Sequence, residues 1–406
     1  MTASLDRRIR EQIAHAYHHA PAIRRLLDNA GLQPGDIQSA ADLPKIPVTS
    51  KDQLVQMHQD DPPFGGFLAV DPATLPRIYI SPGPIYDPQP PDPEAGRAVM
   101  AAFEVAGFAP QDRVVNTFAY HLTPAGLLLD EALRAAGCTV IPTGPGNTEL
   151  LIKMILDLQV VGFVGAPSFL GIILSKMAEW GFANDAVPIR KALFSTEPYT
   201  PSQRARFEGE YFMQTVSAYG TADLGFVGYT TPDCEGFCIA DSVYVEIVDP
   251  DTGHTVGLGE LGEIVVTTFN KGYPLVRFGT GDLGALSTDS HPRSGGQHLL
   301  GLYGRSGGAI KVRGMFLHPN QIENAVARIP EIKYAQAIIT RPADRDVVTL
   351  RVELHLPTHG DVIEAVNSLK DYLEQESRLR IDKVEIVSTG IIDPAQRAIR
   401  DERTWQ

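Results

Sequence analysis

Two aspartates in this chain lie in glycine-rich text that suits chemistry as readily as it suits turns. Asp223 stands in Ser217-Ala218-Tyr219-Gly220-Thr221-Ala222-Asp223-Leu224-Gly225, and Asp282 in Arg277-Phe278-Gly279-Thr280-Gly281-Asp282-Leu283. A carboxylate so placed can take a hard, oxygen-seeking cation, or accept hydrogen bonds from two hydroxyls at once. The plainer alternative makes both of them turn or capping residues beside glycine, and Tyr219 an ordinary core aromatic. His121, in Phe118-Ala119-Tyr120-His121-Leu122-Thr123-Pro124-Ala125-Gly126, falls where a strand gives way to a helix. An imidazole there is either a structural hydrogen-bonder or a group that works near neutral pH. Cys234-Glu235-Gly236-Phe237-Cys238 offers two soft ligands, with His291 and His298 in the next loop. Two thiols, with His291 or His298 supplied from a separate loop, do not fix four ligands at a zinc-site spacing, so the residues favour two half-buried thiols over a metal.

The elements that must position these groups follow from periodicity. Residues 1 to about 70 read as helix and then as irregular chain broken by Pro44, Pro47, Pro62 and Pro63. Between about 95 and 215, short apolar runs at 114–118, 138–141 and 161–164 alternate with helical stretches at 123–136 and 149–158, which predicts a parallel α/β layer. Strands at 243–248 and 263–268, separated by Asp249-Pro250-Asp251-Thr252-Gly253, predict an antiparallel unit. From 310 onward the order is strand, helix, strand, strand, helix, strand, with Val348, Leu350, Val352, Leu354 and Leu356 alternating with polar residues. The fold class is therefore α/β. A large N-terminal domain (1–303) combines α/β layers with an antiparallel β unit, and a small ferredoxin-like α+β domain (304–406) follows.

Composition narrows the partners. The 406 residues carry a net charge of −14 and are 43% hydrophobic. An acidic chain of this kind is a poor match for nucleic acid or for an anionic membrane surface as main partner. No apolar run reaches transmembrane length, and the N-terminal text lacks the apolar stretch of a signal peptide. Three cysteines cannot build a disulfide framework, so a cytoplasmic, reducing location is expected.

Taken in order, the motifs resemble those of the adenylate-forming (acyl-CoA synthetase) superfamily. Tyr219-Gly220-Thr221-Ala222-Asp223 resembles its Tyr-Gly-x-Thr-Glu signature, and the run ending in Asp282 its Tyr-Arg-Thr-Gly-Asp motif. Gly304-Arg305, Lys311-Val312-Arg313-Gly314 and Pro319 resemble its hinge and the start of its small domain. Leu43-Pro44-Lys45-Ile46-Pro47-Val48-Thr49-Ser50-Lys51, Glu197-Pro198 and the short length point to the phenylacetate–CoA ligase branch. The resemblance implies an AMP-forming carboxylate–CoA ligase that activates an aromatic or other small carboxylic acid as an acyl-adenylate and transfers it to CoA. Tyr219 would stack on adenine, Gly220 and Thr221 would line the nucleotide, Asp282 would accept from the ribose hydroxyls, and Arg305 would contact ribose or phosphate. Asp223 would hold magnesium. Ser81 and Gly83 belong to the phosphate loop, and Glu197 and Pro198 to the nucleotide site. His121, Ala166 and Pro167 would border the acyl pocket. The Cys234 region lies where some relatives carry structural zinc, and the resemblance admits a homodimer.

Three departures bear on activity. The phosphate loop reads Tyr79-Ile80-Ser81-Pro82-Gly83-Pro84-Ile85-Tyr86-Asp87-Pro88, where three prolines offer no N–H and no lysine appears. Arg397 is the nearest cation to the place of the family's catalytic lysine, and it differs from an ammonium in shape. Gly307-Gly308 replace the usual hinge aspartate and keep the joint free to turn. These changes raise a rival reading: a nucleotide- or acyl-CoA-binding protein without turnover, or an enzyme of the thioester-forming half-reaction alone.

Overall fold

Most of the short apolar runs of the first three hundred residues become strands of one sheet. A computed structural model describes residues 2–81, 85–305, 310–313, 315–317, 319–355, 361–377, 379–393 and 398–403. The chain divides into two units, Met1–Ser195 with Arg204–Gly304, and Thr196–Gln203 with Arg305–Gln406.

In the large unit, β1 (Arg77–Ser81) and β2 (Ile85–Gln89) pair as an antiparallel ribbon of their own. Next come β3 (Arg113–Asn116), β4 (Thr139–Pro142), β5 (Gly162–Gly165), β6 (Lys191–Phe194) and β7 (Gln214–Thr221), which lie parallel in the order β4-β3-β5-β6-β7. Parallel neighbours need crossovers. The helices Ala125–Ala135, Thr148–Asp157 and Pro167–Glu179 supply three of them.

Beyond β7 the connections shorten to turns and the pairing reverses. β8 (Gly225–Thr231), β9 (Cys234–Ile239), β10 (Val243–Val248), β11 (Gly262–Thr268), β12 (Phe278–Leu286) and β13 (His298–Arg305) continue the same sheet in the order β7-β8-β9-β13-β12-β11-β10. The expected α/β layer and antiparallel unit are thus halves of one eleven-stranded sheet. Strand β7 is the seam, parallel to β6 on one side and antiparallel to β8 on the other. Its register with β8 slips between Tyr219 and Gly220, the kind of local bulge that re-aims a side chain.

The small unit has its own core, built on Ile339, Leu350, Val352, Leu369 and Leu373. Strands β14 (Ile310–Val312) and β15 (Met315–Leu317) form a separate ribbon. The four-stranded sheet uses β16 (Ile332–Thr340), β17 (Val347–Leu354), β18 (Lys383–Val387) and β19 (Ile399–Asp401), in the order β18-β17-β16-β19. The run expected as the first strand of this sheet therefore pairs outside it, and β19 takes the fourth place. Helices Pro319–Ala327 and Val362–Ser377 complete the α+β layering. Among the described residues, no helix is long and apolar enough to cross a membrane.

Candidate functional site

Tyr219 sits at the bulge on the seam strand, and its hydroxyl donates to Asp282 Oδ2 at 2.9 Å. Its ring packs against Phe237 with centroids 6.2 Å apart. The β7–β8 turn that follows depends on glycine. A Cβ on Gly220 would lie 2.4 Å from the Gly225 carbonyl oxygen, and Gly225 itself has φ +72°. Thr221 closes the turn, its hydroxyl accepting from the Leu224 amide at 3.2 Å. Asp223 is carried on this turn, four residues beyond Tyr219. Tyr219 and Asp282 are thereby brought together from strands that are not neighbours.

Asp223 pairs with Lys51, a partner 172 residues away. The aspartate side chain is 8% exposed and the lysine 28%. Lys51 opens the helix Lys51–Asp60, started by a reciprocal cap in which Ser50 accepts from the Gln53 amide and Gln53 accepts from the Ser50 amide. A cation in a first helical turn opposes the helix dipole, so this position is favoured by its partner rather than by its helix. The cap is legible in the text. The partner is not.

Arg277 ties that helix to the sheet. It is 1% exposed, has φ +46°, and its guanidinium donates to Glu246 at 3.1 Å, to the Ile46 carbonyl at 2.6 Å and to the Gly253 carbonyl at 3.1 Å. Its own carbonyl accepts from the Thr49 amide at 3.0 Å, and the Gly279 amide donates back to Thr49 at 2.9 Å. Residues 46–49 are thus fastened to the start of β12, with Lys51 two residues further on and Asp282 within the same strand. Burial pushes the Glu246 carboxyl up, and Arg277 opposes that shift.

On the β1–β2 ribbon, Asp87 is 5% exposed, and among the described residues neither carboxylate oxygen meets a donor in hydrogen-bonding geometry. Burial, and then the negative charge of Asp223, push it up to about 7, against the pull of Lys51. Tyr273 is driven well above the usual phenol range by burial and then by Asp223 and Asp87. Its hydroxyl lies 3.0 Å from His58 Nε2, and burial followed by Lys51 lowers that imidazole. Lys51 and Arg277 stood in quoted motifs without a role, and Asp87 was read only as part of the loop. A charge inside the apolar run Leu275-Val276-Arg277-Phe278 is a signal for Arg277, whereas Lys51, among Ser50, Asp52 and Gln53, carries none.

The other expected residues are placed as follows. Ser81 ends β1 and is buried. His121 is exposed in the bend after β3, which Asn116 braces by donating to the Tyr120 hydroxyl and the Gly126 carbonyl. That bend lies beside β1, since the Ile80 amide donates to the Leu122 carbonyl at 2.8 Å. Ala166 and buried Pro167 open the helix after β5. Glu197 and Pro198 count with the small unit, where the Glu197 carboxylate is 4.0 Å from Arg341, itself bonded to Asp346 at 2.9 Å. Arg305 closes β13. Gly83, Gly307, Gly308 and Arg397 lie outside the described residues. Cys234 Sγ is 3.4 Å from His298 Nε2, and the His291 and His298 rings are 5.4 Å apart. Among the described residues, no group of three or more His, Cys, Asp or Glu is arranged to hold a metal ion.

Comparison with known proteins bears on the family and the fold. A family described as AMP-binding enzyme matches residues 97–271. A phenylacetate–coenzyme A ligase from Pseudomonas putida is 30% identical, with 87% of this chain and 83% of the relative covered. One from Thermus thermophilus is 28% identical over 99% of this chain and 94% of its own. Among solved structures, 2-hydroxyisobutyryl-CoA ligase in complex with 2-HIB-AMP and CoA superposes with a TM-score of 0.89 at 22% identity, covering 98% of this chain and 89% of that one. The amide bond synthetase McbA from Marinactinospora thermotolerans gives a TM-score of 0.60 at 18% identity, over 80% and 68%.

Proposed function

The chain belongs to the phenylacetate–coenzyme A ligase family, and from that premise we propose how its own residues carry out AMP-forming acid–CoA ligation. A carboxylate oxygen of the acid attacks the α-phosphorus of ATP, pyrophosphate leaves, and an acyl-adenylate results. CoA thiolate then attacks the acyl carbon and AMP departs, leaving the thioester. An aromatic or similarly compact acid is the substrate class.

Asp282 holds the ribose hydroxyls with the carboxylate that Tyr219 already orients, and the ring of Tyr219, with Gly220 and Thr221, seats the base. Fixing the nucleoside in this way aligns the α-phosphorus with the acid. Asp223 is the magnesium-binding carboxylate. The fit is sound, because it is a nearly buried oxygen donor facing a cation it can exchange. Magnesium, when bound, neutralises charge on the ATP phosphates. Lys51 takes the part of the lysine absent from the phosphate loop: its pairing with Asp223 supports this, since an ammonium displaced from that carboxylate would be free to meet phosphate oxygens. His121, Ala166 and Pro167 border the acyl group. By the family resemblance, Ser81, Gly83, Glu197, Pro198 and Arg305 would add nucleotide contacts, and Arg397 would stabilise charge developing during adenylation. Residues 1–303 would carry nucleotide and acid, with 304–406 turning about Gly307-Gly308 between the two half-reactions. All three cysteines are free thiols, which fits a reducing, cytoplasmic setting.

The observation that carries this reading is the Tyr219–Asp282 hydrogen bond, formed on the strand whose following turn holds Asp223 against Lys51. The test is acid-dependent pyrophosphate release from ATP and magnesium, with CoA present, across aryl and short-chain acids. Release above the no-acid blank, followed by thioester formation, is expected. Silence across the panel from folded protein that still binds AMP would overturn the ligase reading.

A further inference from the structure

The reaction as described leaves Asp87 without work, although its position is costly. A buried carboxylate is ordinarily paired or hydrogen-bonded, because removing an ion from water without compensation is unfavourable. Asp87 is 5% exposed and, among the described residues, neither of its oxygens meets a donor. The Ser81 hydroxyl, on the same ribbon, is buried and near enough to pull the Asp87 carboxyl down, yet it is not in hydrogen-bonding geometry with it. Lys51, the cation nearest to hand, is committed to Asp223.

The charges point to what is missing. One ammonium cannot answer two carboxylates, so the second must either hold a proton or stay buried with a charge that nothing compensates. A divalent cation would cancel both carboxylates and release the ammonium. Magnesium typically binds through one or two carboxylates together with substrate phosphates and water, rather than in an all-protein cage. The helix that carries Lys51 packs against β2, which carries Asp87, while Lys51 itself pairs with Asp223 on the β7–β8 turn, so carboxylates from two different segments flank one ammonium, which suits that mode.

We propose that Asp87 and Asp223 together hold the divalent cation that bridges the ATP phosphates, and that Lys51 passes from Asp223 to the phosphates as the cation enters. This rests on the ligase reading above. It also gives the proline-rich loop a way to grip phosphate with few amides: the loop's ribbon contributes a metal ligand in place of donors.

Manganese serves as the probe, its free ion followed by electron paramagnetic resonance during titration of the full chain with and without ATP. Wild type is expected to bind manganese in the presence of ATP, with Asp87→Asn and Asp223→Asn each weakening it at least tenfold. Lys51→Met, which removes the resident competitor, should tighten manganese binding in the absence of nucleotide. Calorimetry with AMP is the control for Asp87→Asn: unchanged AMP affinity is expected if the variant is folded and keeps its nucleoside end. If Asp87→Asn titrates as wild type does, or if wild type with ATP retains no manganese, the proposal is overturned. Pyrophosphate release by wild type tests the ligase reading separately. Asp87-dependent manganese binding without release would keep the metal site and discard that reading. Release with Asp87-independent manganese binding would do the reverse.

Discussion

At the Tyr219 end of the site a neutral hydroxyl donates to a carboxylate across 2.9 Å, and the surrounding turn is fixed by glycine geometry. At the Lys51 end the ammonium pairs with Asp223, while the nearby Asp87 carboxyl is buried with no donor among the described residues. The first region is satisfied as it stands and needs no ligand to balance it. The second is balanced only when something further arrives. A binding platform gains from being finished before its ligand comes, since fewer groups must then be ordered on binding. A site that exchanges a metal and a polyphosphate gains from the opposite, because a fully compensated carboxylate would have no reason to take a cation.

Arg277 joins the two regions, and removing it should have the largest effect. Arg277→Met leaves Glu246 buried and uncompensated, at a cost of about 3–5 kcal/mol, read as a lower urea midpoint. Glu246→Gln in the same background should recover part of that loss. Were the single variant as stable as wild type, the clamp between the two ends would be only apparent.

Asp282→Ala should weaken AMP by roughly 100-fold in calorimetry, the worth of charge-assisted hydrogen bonds of about 1.5–3 kcal/mol each to the ribose. An unchanged AMP affinity would show that the finished region is structural and not a nucleoside seat. Lys51→Met sharpens the contrast from the other side. It should raise the KM for ATP about tenfold or more while leaving AMP affinity within about twofold, since only the outer phosphates lose a charged partner. Equal losses for AMP and ATP would merge the two regions into one.

The smallest expected effect is a pH slope at the charged end. His58 is lowered from its usual value by burial and then by Lys51, so the folded state resists its protonation. Below about pH 6.5 the unfolded chain takes up a proton that the folded chain does not, and stability falls as pH drops. Thermal melts of wild type against His58→Gln should diverge below that pH and run parallel near pH 8. Parallel curves throughout would mean that the imidazole is not held neutral by its surroundings.

Much of the scaffold could be read in advance. The runs at 243–248 and 263–268 became β10 and β11, and the helical stretch at 149–158 became Thr148–Asp157. Alternating Val348, Leu350 and Val352 are all buried on one face of β17. The strand at 310–313 was legible as a strand but not as a ribbon, because three residues specify extension without specifying a neighbour. Within the site, Tyr219, Asp223 and Asp282 stood out because their turns need glycine and small polar residues at fixed offsets. Glu197 was legible only by resemblance, and its neighbour in the structure is Arg341.

The sequence by itself determined the elements, the turn chemistry at Gly220 and Gly225, and the carboxylates poised beside it. Those properties depend on periodicity and on backbone geometry over a few residues, which neighbouring text encodes. Only the tertiary structure decided that Lys51 answers Asp223, that Arg277 binds residues 46–49 to β12, and that Asp87 is buried without a donor. Ion pairing, hydrogen bonding and desolvation depend on distance and exposure in space, and here they join segments as much as 231 residues apart.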